Sequence, residues 1–259
     1  MKRCVLLTIL GTFIFLSGCE NKDKTAPSNP PKDEVIDMHG QVENRERLDA
    51  FVENVQSSLK DKIRLTRYTI EGDPIYHDLD FDGTLLNFRL DTTEDQFGQG
   101  NVTTYECKQI SKSESDTETK YLLDGCANGQ TGELLTISHN VEMEDYFEFE
   151  LKYGKNEIDT KEMVLTKDLK NGEMLTINDF QLSTEQMNRI YKELVYANYL
   201  QPKSLSNSCN EKSNEDYELY VWINSATRNF QWSSCDQSED GLEMTNLVEK
   251  IIDITEETL

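Results

Sequence analysis

The spacing of the apolar residues changes period several times along the chain, and this constrains the fold more than any single motif. Three stretches, which begin near Asn44, Ser183 and Asp240, carry apolar residues three and four positions apart, as in an amphipathic helix. Between them lie segments of alternating apolar and polar residues, separated by turn signals such as Asp82-Gly83. The pattern predicts an α+β protein in which amphipathic helices cover antiparallel sheets.

Helix-capping signals divide this pattern into two parts. The predicted caps are Asn44, a capping box of Ser183 and Gln186 flanked by Leu182 and Met187, and the pair Asp240 and Glu243. The first helix carries its apolar stripe on Leu48, Phe51, Val52, Val55 and Leu59. Because each part has its own helices and strands, we expect two small α+β domains, at residues 35–145 and 146–259, each with its helix or helices packed on one antiparallel sheet.

Acidic residues outnumber basic ones almost two to one. The chain has 49 Asp and Glu against 26 Lys and Arg, a formal charge of −23, while hydrophobic residues make up 36% of the sequence. That hydrophobic content is enough to build a core. Because nucleic-acid binding relies on cationic side chains, the charge excludes nucleic acid and favours basic peptides, basic proteins or divalent cations as partners.

The N-terminus carries an export pattern. A short positive segment, Met1–Arg3, precedes an apolar run of about 12 residues, which is too short to cross a bilayer as a helix and is typical of a cleaved signal. Leu16-Ser17-Gly18-Cys19 resembles the bacterial lipobox, which implies that residues 1–18 are removed and that Cys19 carries a diacylglycerol. An ordinary signal peptide with an incidental cysteine is the alternative.

A lipid on Cys19 would attach the protein to the bilayer without a spanning segment, since two or more acyl chains anchor a protein stably. Residues 19–34 are rich in Lys, Asp, Asn, Ser and Pro, and we expect them to form a disordered tether. The protein is therefore predicted to be lipid-anchored on the outer, extracytoplasmic face of the cell membrane.

Four cysteines remain beyond the leader and Cys19, namely Cys107, Cys126, Cys209 and Cys235. In an oxidising compartment an even number predicts disulfides. Three pairings can be drawn, and Cys107–Cys126 with Cys209–Cys235 is favoured because each pair closes a short loop inside one domain. Strand-like stretches at 105–110 and 120–123, joined by a polar run at 111–119, predict a hairpin that brings Cys107 to Cys126. Without a C-x-x-C spacing, a redox site is not indicated.

The stretch from Asp78 to Leu85 supports a phosphatase hypothesis. Its D-x-D-G-T pattern has the residue types of haloacid-dehalogenase-type phosphatases, with Asp80 as nucleophile and Asp82 as general acid beside Mg²⁺. That fold needs a buried parallel strand before the motif and a helix after it. Here polar residues precede the motif and an alternating run follows it, so the context disagrees.

The same stretch also matches a calcium loop, D-x-D-x-D-G, with Asp78, Asp80 and Asp82 as oxygen ligands. Position twelve of such a loop should be a bidentate Glu, but it is Arg89. A solvated Asp-Gly turn is favoured over both hypotheses.

No complete catalytic or metal-binding set occurs in the sequence. His39, His77 and His139 are scattered, and none has a second ligand at helical spacing, so zinc is not indicated. Serine-hydrolase elbows and phosphate-binding loops are also absent from the sequence. We predict no catalytic residue, no metal ligand and no cofactor.

Two residue clusters leave alternatives open. The aromatic residues Tyr220, Trp222, Phe230 and Trp232 either build the core or form a strip for sugar rings or a partner surface. Arg64 and Arg67 form the densest basic spot of the first domain, and they either pair with nearby carboxylates or recognise an anion.

Four strings in the first half are distinctive: Asp37-Met38-His39-Gly40, Asn44–Phe51, Arg64–Ile75 and Asp95-Gln96-Phe97-Gly98. Together with Cys107 and Cys126 they resemble a Bacillus-type lipoprotein family with a domain of unknown function, number four-three-six-two in that series. The resemblance covers about residues 35–130, and R-Y-T-x-E-G-D-P-I is its most specific part. It implies export and a small α+β domain, and it brings no activity, cofactor or catalytic residue. The second half loosely resembles modules of other such lipoproteins.

These features together predict a non-enzymatic, lipid-anchored module that binds or scaffolds a component of the cell envelope. A metal-dependent phosphatase built on Asp80 and Asp82, and a calcium-stabilised surface protein, are the alternatives.

Overall fold

The computed structural model describes residues 33–127, 132–208 and 215–258. Within these residues the chain forms three α-helices and three β-sheets, two of six strands and one of three. The predicted α+β class is therefore confirmed.

The N-terminal sheet combines four antiparallel strand pairs with one parallel pair. Its strands are β1 (Glu34–Met38), β2 (Gln41–Glu43), β3 (Asp61–Tyr68), β4 (Pro74–Phe81), β5 (Leu86–Asp91) and β6 (Val102–Cys107), in the order β2-β1-β3-β4-β5-β6. β1 pairs with β3 in parallel, so the chain must cross back between them, and helix α1 (Arg45–Gln56) lies in that connection. Glu34, the last residue of the predicted tether, already belongs to β1.

Helix α1 buries the predicted stripe but is shorter than its pattern indicates. Leu48, Phe51, Val52 and Val55 are buried, whereas Leu59 lies beyond the helix and is largely exposed, so its place in the stripe was predicted wrongly. Asn44 occupies the N-cap position in a left-handed conformation (φ 57°), and its side chain makes no capping bond. It donates instead to the Glu34 carbonyl at 2.8 Å, which ties the start of the helix to β1.

A three-stranded sheet completes the first half of the chain. It contains β7 (Gln109–Glu114), β8 (Glu118–Asp124) and β9 (Gly132–Ser138), all antiparallel. The prediction of a single sheet in this half is wrong, because the chain leaves the N-terminal sheet after Cys107 and starts a new sheet at Gln109. Part of the polar run at 111–119 belongs to strands. The three-stranded sheet shares one hydrophobic core with α1 and the N-terminal sheet.

The C-terminal sheet has six antiparallel strands covered by two helices. The strands are β10 (Phe147–Tyr153), β11 (Asn156–Asp159), β12 (Val164–Asp168), β13 (Met174–Asn178), β14 (Asp216–Ile223) and β15 (Ala226–Ser233), in the order β13-β12-β11-β10-β14-β15. The helices are α2 (Thr184–Tyr196) and α3 (Glu239–Glu256). They contact each other and pack their buried residues into the core of this sheet.

Of the two caps predicted for the helices of the second half, one is confirmed and one is wrong. Ser183 Oγ accepts from Gln186 N at 3.2 Å and Gln186 Oε1 accepts from Ser183 N at 3.0 Å, which is the predicted capping box of α2. Helix α3 begins earlier than Asp240, because the Ser238 hydroxyl caps it by accepting from Gly241 N at 3.0 Å.

Two hydrophobic cores lie on either side of the predicted domain boundary. Buried residues of the first core run from Val35 to Ile137 and those of the second from Phe147 to Ile254, while Val195 of α2 packs against both. The boundary at 145/146 stays a prediction. Among the described residues, no helix has both the length and the apolar character that a bilayer crossing requires.

Candidate functional site

The first two aspartates of the acidic stretch, Asp78 and Asp80, form cross-strand ion pairs on the outer face of the N-terminal sheet. Arg64 Nε and Nη2 donate to the two Asp78 carboxylate oxygens at 2.6 and 3.1 Å, and Arg89 Nη1 donates to Asp78 Oδ2 at 3.1 Å. Lys62 Nζ donates to Asp80 Oδ2 at 2.5 Å. β3 and β5 place these cations directly opposite the carboxylates, so the pairs stabilise strand pairing.

Asp82 serves the turn that follows β4. Its Oδ1 accepts from the backbone N–H groups of Thr84 and Leu85, both at 2.8 Å, and these bonds lower the pKa of Asp82. β4 is antiparallel to both neighbours and leads into β5, so the parallel strand and helix that frame the phosphatase motif do not form here. Across the described ranges, no three His, Cys, Asp or Glu side chains are grouped as metal ligands.

Both arginines of the basic spot have carboxylate partners. Arg67 Nε donates to Oδ2 of the buried Asp37 at 2.9 Å, and Arg64, bound to Asp78, also lies over the Tyr76 ring at 4.7 Å. The structure therefore shows the pairing alternative for Arg64 and Arg67.

The four aromatic residues of the predicted strip lie on opposite faces of the C-terminal sheet. Phe230 and Trp232 are buried in the core. Tyr220 and Trp222 are stacked on the other face, with ring centroids 5.9 Å apart and 12° between the ring planes. The strip is thus divided, because side chains alternate in direction along each strand.

The three histidines occupy separate places. His39 lies in the turn between β1 and β2, His77 on β4 and His139 just after β9. Burial lowers the pKa of His77 to about 4, and its Nδ1 is buried without a hydrogen-bond partner. Burial also lowers the pKa of His139, whose Nδ1 lies 3.1 Å from the Asp116 carbonyl.

Cys107 and Cys126 form a disulfide at the open end of the β7–β8 hairpin. Cys235 is also disulfide-bonded, while Cys209, its predicted partner, lies outside the described residues. Cys19 lies outside them as well, so its lipidation stays a prediction.

A cleft opens where the two halves of the chain meet. We call it the interdomain cleft, and it has a volume of about 360 Å³. It is lined by His39, Gly40 and Gln41, by Thr136 and Ser138 of β9, by Glu144, and by Tyr191, Val195, Asn198, Tyr199 and Leu200 in and after α2. Contacts beside the cleft join the halves: Asn198 Nδ2 donates to the Val42 carbonyl at 3.1 Å, and the Tyr196 hydroxyl lies 2.6 Å from Thr119 Oγ1.

Unpaired buried polar atoms concentrate around this cleft. Five buried side-chain atoms in the described ranges lack a hydrogen-bond partner, and three of them are Thr136 Oγ1, Asn198 Oδ1 and the Tyr199 hydroxyl, all on residues that line the cleft. The Tyr199 hydroxyl also lies near that of Tyr191, and each tyrosine influences the pKa of the other. Leaving such a group unpaired costs about 1–3 kcal/mol.

The cleft carries one carboxylate among neutral groups. Glu144 Oε1 accepts from the Tyr191 hydroxyl at 2.9 Å, and Glu144 Oε2 accepts from Asn224 Nδ2 at 2.8 Å. Burial raises the pKa of Tyr199 to about 12 and raises that of Tyr191 as well, so both hydroxyls stay protonated at neutral pH. The residues that line the cleft therefore carry hydrogen-bond acceptors, two phenol hydroxyls and a negative charge.

A wider groove of about 630 Å³ lies nearby, between the start of α1 and the start of α3. It is more acidic, but its buried Lys203 is already paired with Glu243, and with Asp240 at 3.7 Å. Asn198 is the one wall residue of this groove, within the described part of the chain, that has an unpaired buried atom. The interdomain cleft is thus the better candidate for a binding site.

Sequence patterns did not indicate the residues of the cleft. Thr136, Asn198 and Tyr199 belong to no motif and come from segments about 60 residues apart. The polar Asn198, placed directly after an amphipathic helix, resembles an ordinary helix end. Only the packing of α2 against the first half brings these residues to one cavity.

Residues 32–122 match the family model described as Domain of unknown function (DUF4362), so the resemblance seen in the sequence strings is confirmed. The match runs from just before β1 into β8, and it includes the turn that supplies His39, Gly40 and Gln41 to the cleft. No curated protein and no solved structure matches the chain.

Proposed function

We propose that this protein, whose residues 32–122 carry a DUF4362 domain, is a lipid-anchored extracytoplasmic protein that binds a small polar molecule in the interdomain cleft. The observation that carries the proposal is the set of unpaired buried atoms on Thr136, Asn198 and Tyr199 around one cavity. A ligand that moves the wall side chains enough to pair with these buried atoms recovers the free energy that their unpaired state costs.

The groups in the cleft define the kind of molecule. Asn198 Oδ1 can only accept hydrogen bonds, and Glu144 places a carboxylate on the wall. Both favour a ligand with hydroxyl or amino donors and disfavour an anion. The volume of about 360 Å³ suits a compact molecule such as a single sugar, an amino sugar or a small amine.

The role that we propose for the cleft is binding without turnover. Ser138 and His39 both line the cavity, but in the described part of the chain no hydrogen bond joins them to each other or to Glu144. The Glu144 carboxylate accepts hydrogen bonds from the Tyr191 hydroxyl and from Asn224 Nδ2. Activation of a serine nucleophile would need a hydrogen bond between its hydroxyl and a base.

Thermal unfolding with a ligand panel tests the cleft. The panel contains hexoses, amino sugars, polyamines and free amino acids, and the variant Thr136→Val/Tyr199→Phe removes two of the unpaired hydroxyls. We expect at least one compound to raise the Tm of the wild type and not that of the double variant. Thr103→Val/Tyr105→Phe, on β6, is the matched control and should respond like the wild type.

The cleft proposal fails if no compound in the panel stabilises the wild type, or if a compound stabilises the double variant equally. The anchoring proposal has its own test. Intact mass of the protein extracted from its host membrane should show a chain that begins at Cys19 with a diacylglycerol attached, and a Cys19→Ser variant should lack that mass. A free Cys19 thiol would contradict the lipid anchor.

A further inference from the structure

Two large apolar side chains are exposed at one end of the N-terminal sheet. Ile70 is 90% exposed and Phe97 is 78% exposed. Ile70 lies in the β3–β4 connection and Phe97 in the β5–β6 connection, and because β3 to β6 are successive antiparallel neighbours, both connections lie at the same end. We call this surface the apolar tip.

Hydrogen bonds hold the two connections of the apolar tip together. The buried Asp73 carboxylate accepts from Gln96 N and from Gln96 Nε2, both at 3.0 Å. Thr69 N donates to the Asp73 carbonyl at 2.9 Å and closes the first turn. Hydrogen bonds within and between the two connections therefore support Ile70 and Phe97.

The surroundings of the apolar tip are acidic. Neither Lys nor Arg occurs at residues 68–88 or at residues 90–107, whereas Glu71 and Glu94 are exposed beside Ile70 and Phe97. A cationic partner with apolar side chains fits this combination, because the apolar contact buries area and the charges complement each other. Anionic lipid headgroups would be repelled.

The apolar tip also faces away from the point where the tether would enter the fold. Asp33, the first described residue, contacts Arg47 and the Arg64 backbone, and β1 then runs parallel to β3 toward the tip. From the register, Asp33 lies about 20 Å from the tip, at a rise of roughly 3.3 Å per residue. A chain held to the bilayer through residues before Asp33 would therefore carry this surface at the end of the sheet opposite its attachment.

We propose that the apolar tip is a docking surface for a basic protein segment that carries apolar side chains. The interaction is independent of the interdomain cleft, whose residues belong to other segments. Ile70 and Phe97 supply the buried area, and Glu71 and Glu94 supply the attraction to the cationic groups of the partner.

Binding of two labelled peptides to the full-length protein in phosphatidylcholine nanodiscs tests the proposal. One peptide alternates lysine with leucine and the other alternates lysine with serine, and empty nanodiscs provide the blank. We expect the lysine–leucine peptide to bind the wild type at least about tenfold more tightly than the lysine–serine peptide. Ile70→Ser/Phe97→Ser should remove that difference, while Leu59→Ser/Leu242→Ser, which changes exposed apolar residues elsewhere, should keep it.

Several outcomes would overturn the proposal. Equal binding of the two peptides would mean that charge alone attracts them. Equal losses in the tip variant and the control variant would place the contact elsewhere. Sedimentation that shows self-association of the wild type, lost in Ile70→Ser/Phe97→Ser, would identify the occupant as a second copy of the chain. A blue-shifted emission of the Phe97→Trp variant without peptide would show that the apolar tip inserts into the nanodisc. The bilayer would then be the occupant of this surface.

Discussion

The outer face of the N-terminal sheet and the interdomain cleft differ in how their polar groups are satisfied. On the outer face Asp78 and Asp80, which resemble catalytic or calcium-binding residues in the sequence, are paired with cations on adjacent strands. In the cleft, residues that belong to no motif leave buried atoms without partners. A motif whose groups are all paired has little left to offer a ligand, whereas an unpaired buried group gains from one.

The two regions also differ in how they are built. The outer face comes from three consecutive strands, β3 to β5, and its charges meet through strand register alone. The cleft is assembled from the β1–β2 turn, β9, Glu144 and the end of α2. Changes to the first region should therefore act locally, and changes to the second should act on the contact between the halves.

Removal of the Cys107–Cys126 disulfide should have the largest effect, because this bond ties the sheet that carries the outer face to the sheet that contributes β9 to the cleft. It joins the end of β6 in the N-terminal sheet to the end of β8, whose neighbour β9 carries Thr136. Cys107→Ser/Cys126→Ser should lower the free energy of unfolding by about 3 kcal/mol in chemical denaturation. Unchanged unfolding in this variant would show that the two sheets are held together without the bond.

The pH dependence of the free energy of unfolding should show the titration of His77. This residue lies on the same strand as the paired aspartates but has an unpaired ring nitrogen. The unfolded His titrates near 6.5 and the folded one at about 4, so the unfolded state takes up the proton first. Stability should therefore fall as the pH drops from 6.5 to 4, by roughly 2–3 kcal/mol. His77→Gln should lack this component, and parallel stability curves for the two proteins would contradict the assignment.

Replacement of an unpaired buried hydroxyl in the cleft by a methyl group should stabilise the protein. Thr136→Val exchanges the unpaired Oγ1 for a methyl group of similar size, so we expect the free energy of unfolding to rise by about 1 kcal/mol in the absence of ligand. Thr103→Val, at an exposed position of β6, serves as the control and should change stability little. A loss of stability in Thr136→Val would show that this hydroxyl has a partner.

Substitutions on the outer face should have the smallest effects. Asp78→Asn weakens contacts to Arg64 and Arg89 and should cost up to about 1 kcal/mol at low salt, less at high salt, and Asp80→Asn should cost still less because its pair with Lys62 is more exposed. Release of phosphate from an aryl phosphate with Mg²⁺ should stay at background in the wild type. Turnover that Asp80→Asn abolishes would favour the phosphatase alternative over a binding protein.

The elements that could be predicted from the sequence depend on residues close together in the chain. The capping box at Ser183 and the β4–β5 hairpin at Asp82-Gly83 are examples, because their hydrogen bonds join residues at most a few positions apart. The start of α3 was misplaced, since Ser238 and Asp240 are both good caps and only one of them has the extended backbone that a cap requires.

Longer-range features could not be predicted. The parallel pairing of β1 with β3 and the division of the first half into two sheets depend on how α1 packs, not on any local pattern. Likewise the face on which Trp222 or Trp232 lies follows from strand register, which period-two alternation alone does not specify across a hairpin.

The amino-acid sequence by itself determined the α+β class, the apolar faces, the main turns and the acidic charge, because each of these follows from residue types and their spacing. The tertiary structure alone decided that the conspicuous aspartates are paired and that Thr136, Asn198 and Tyr199 share one cavity. The physical reason is that whether a polar group finds a partner depends on which distant segment is packed beside it.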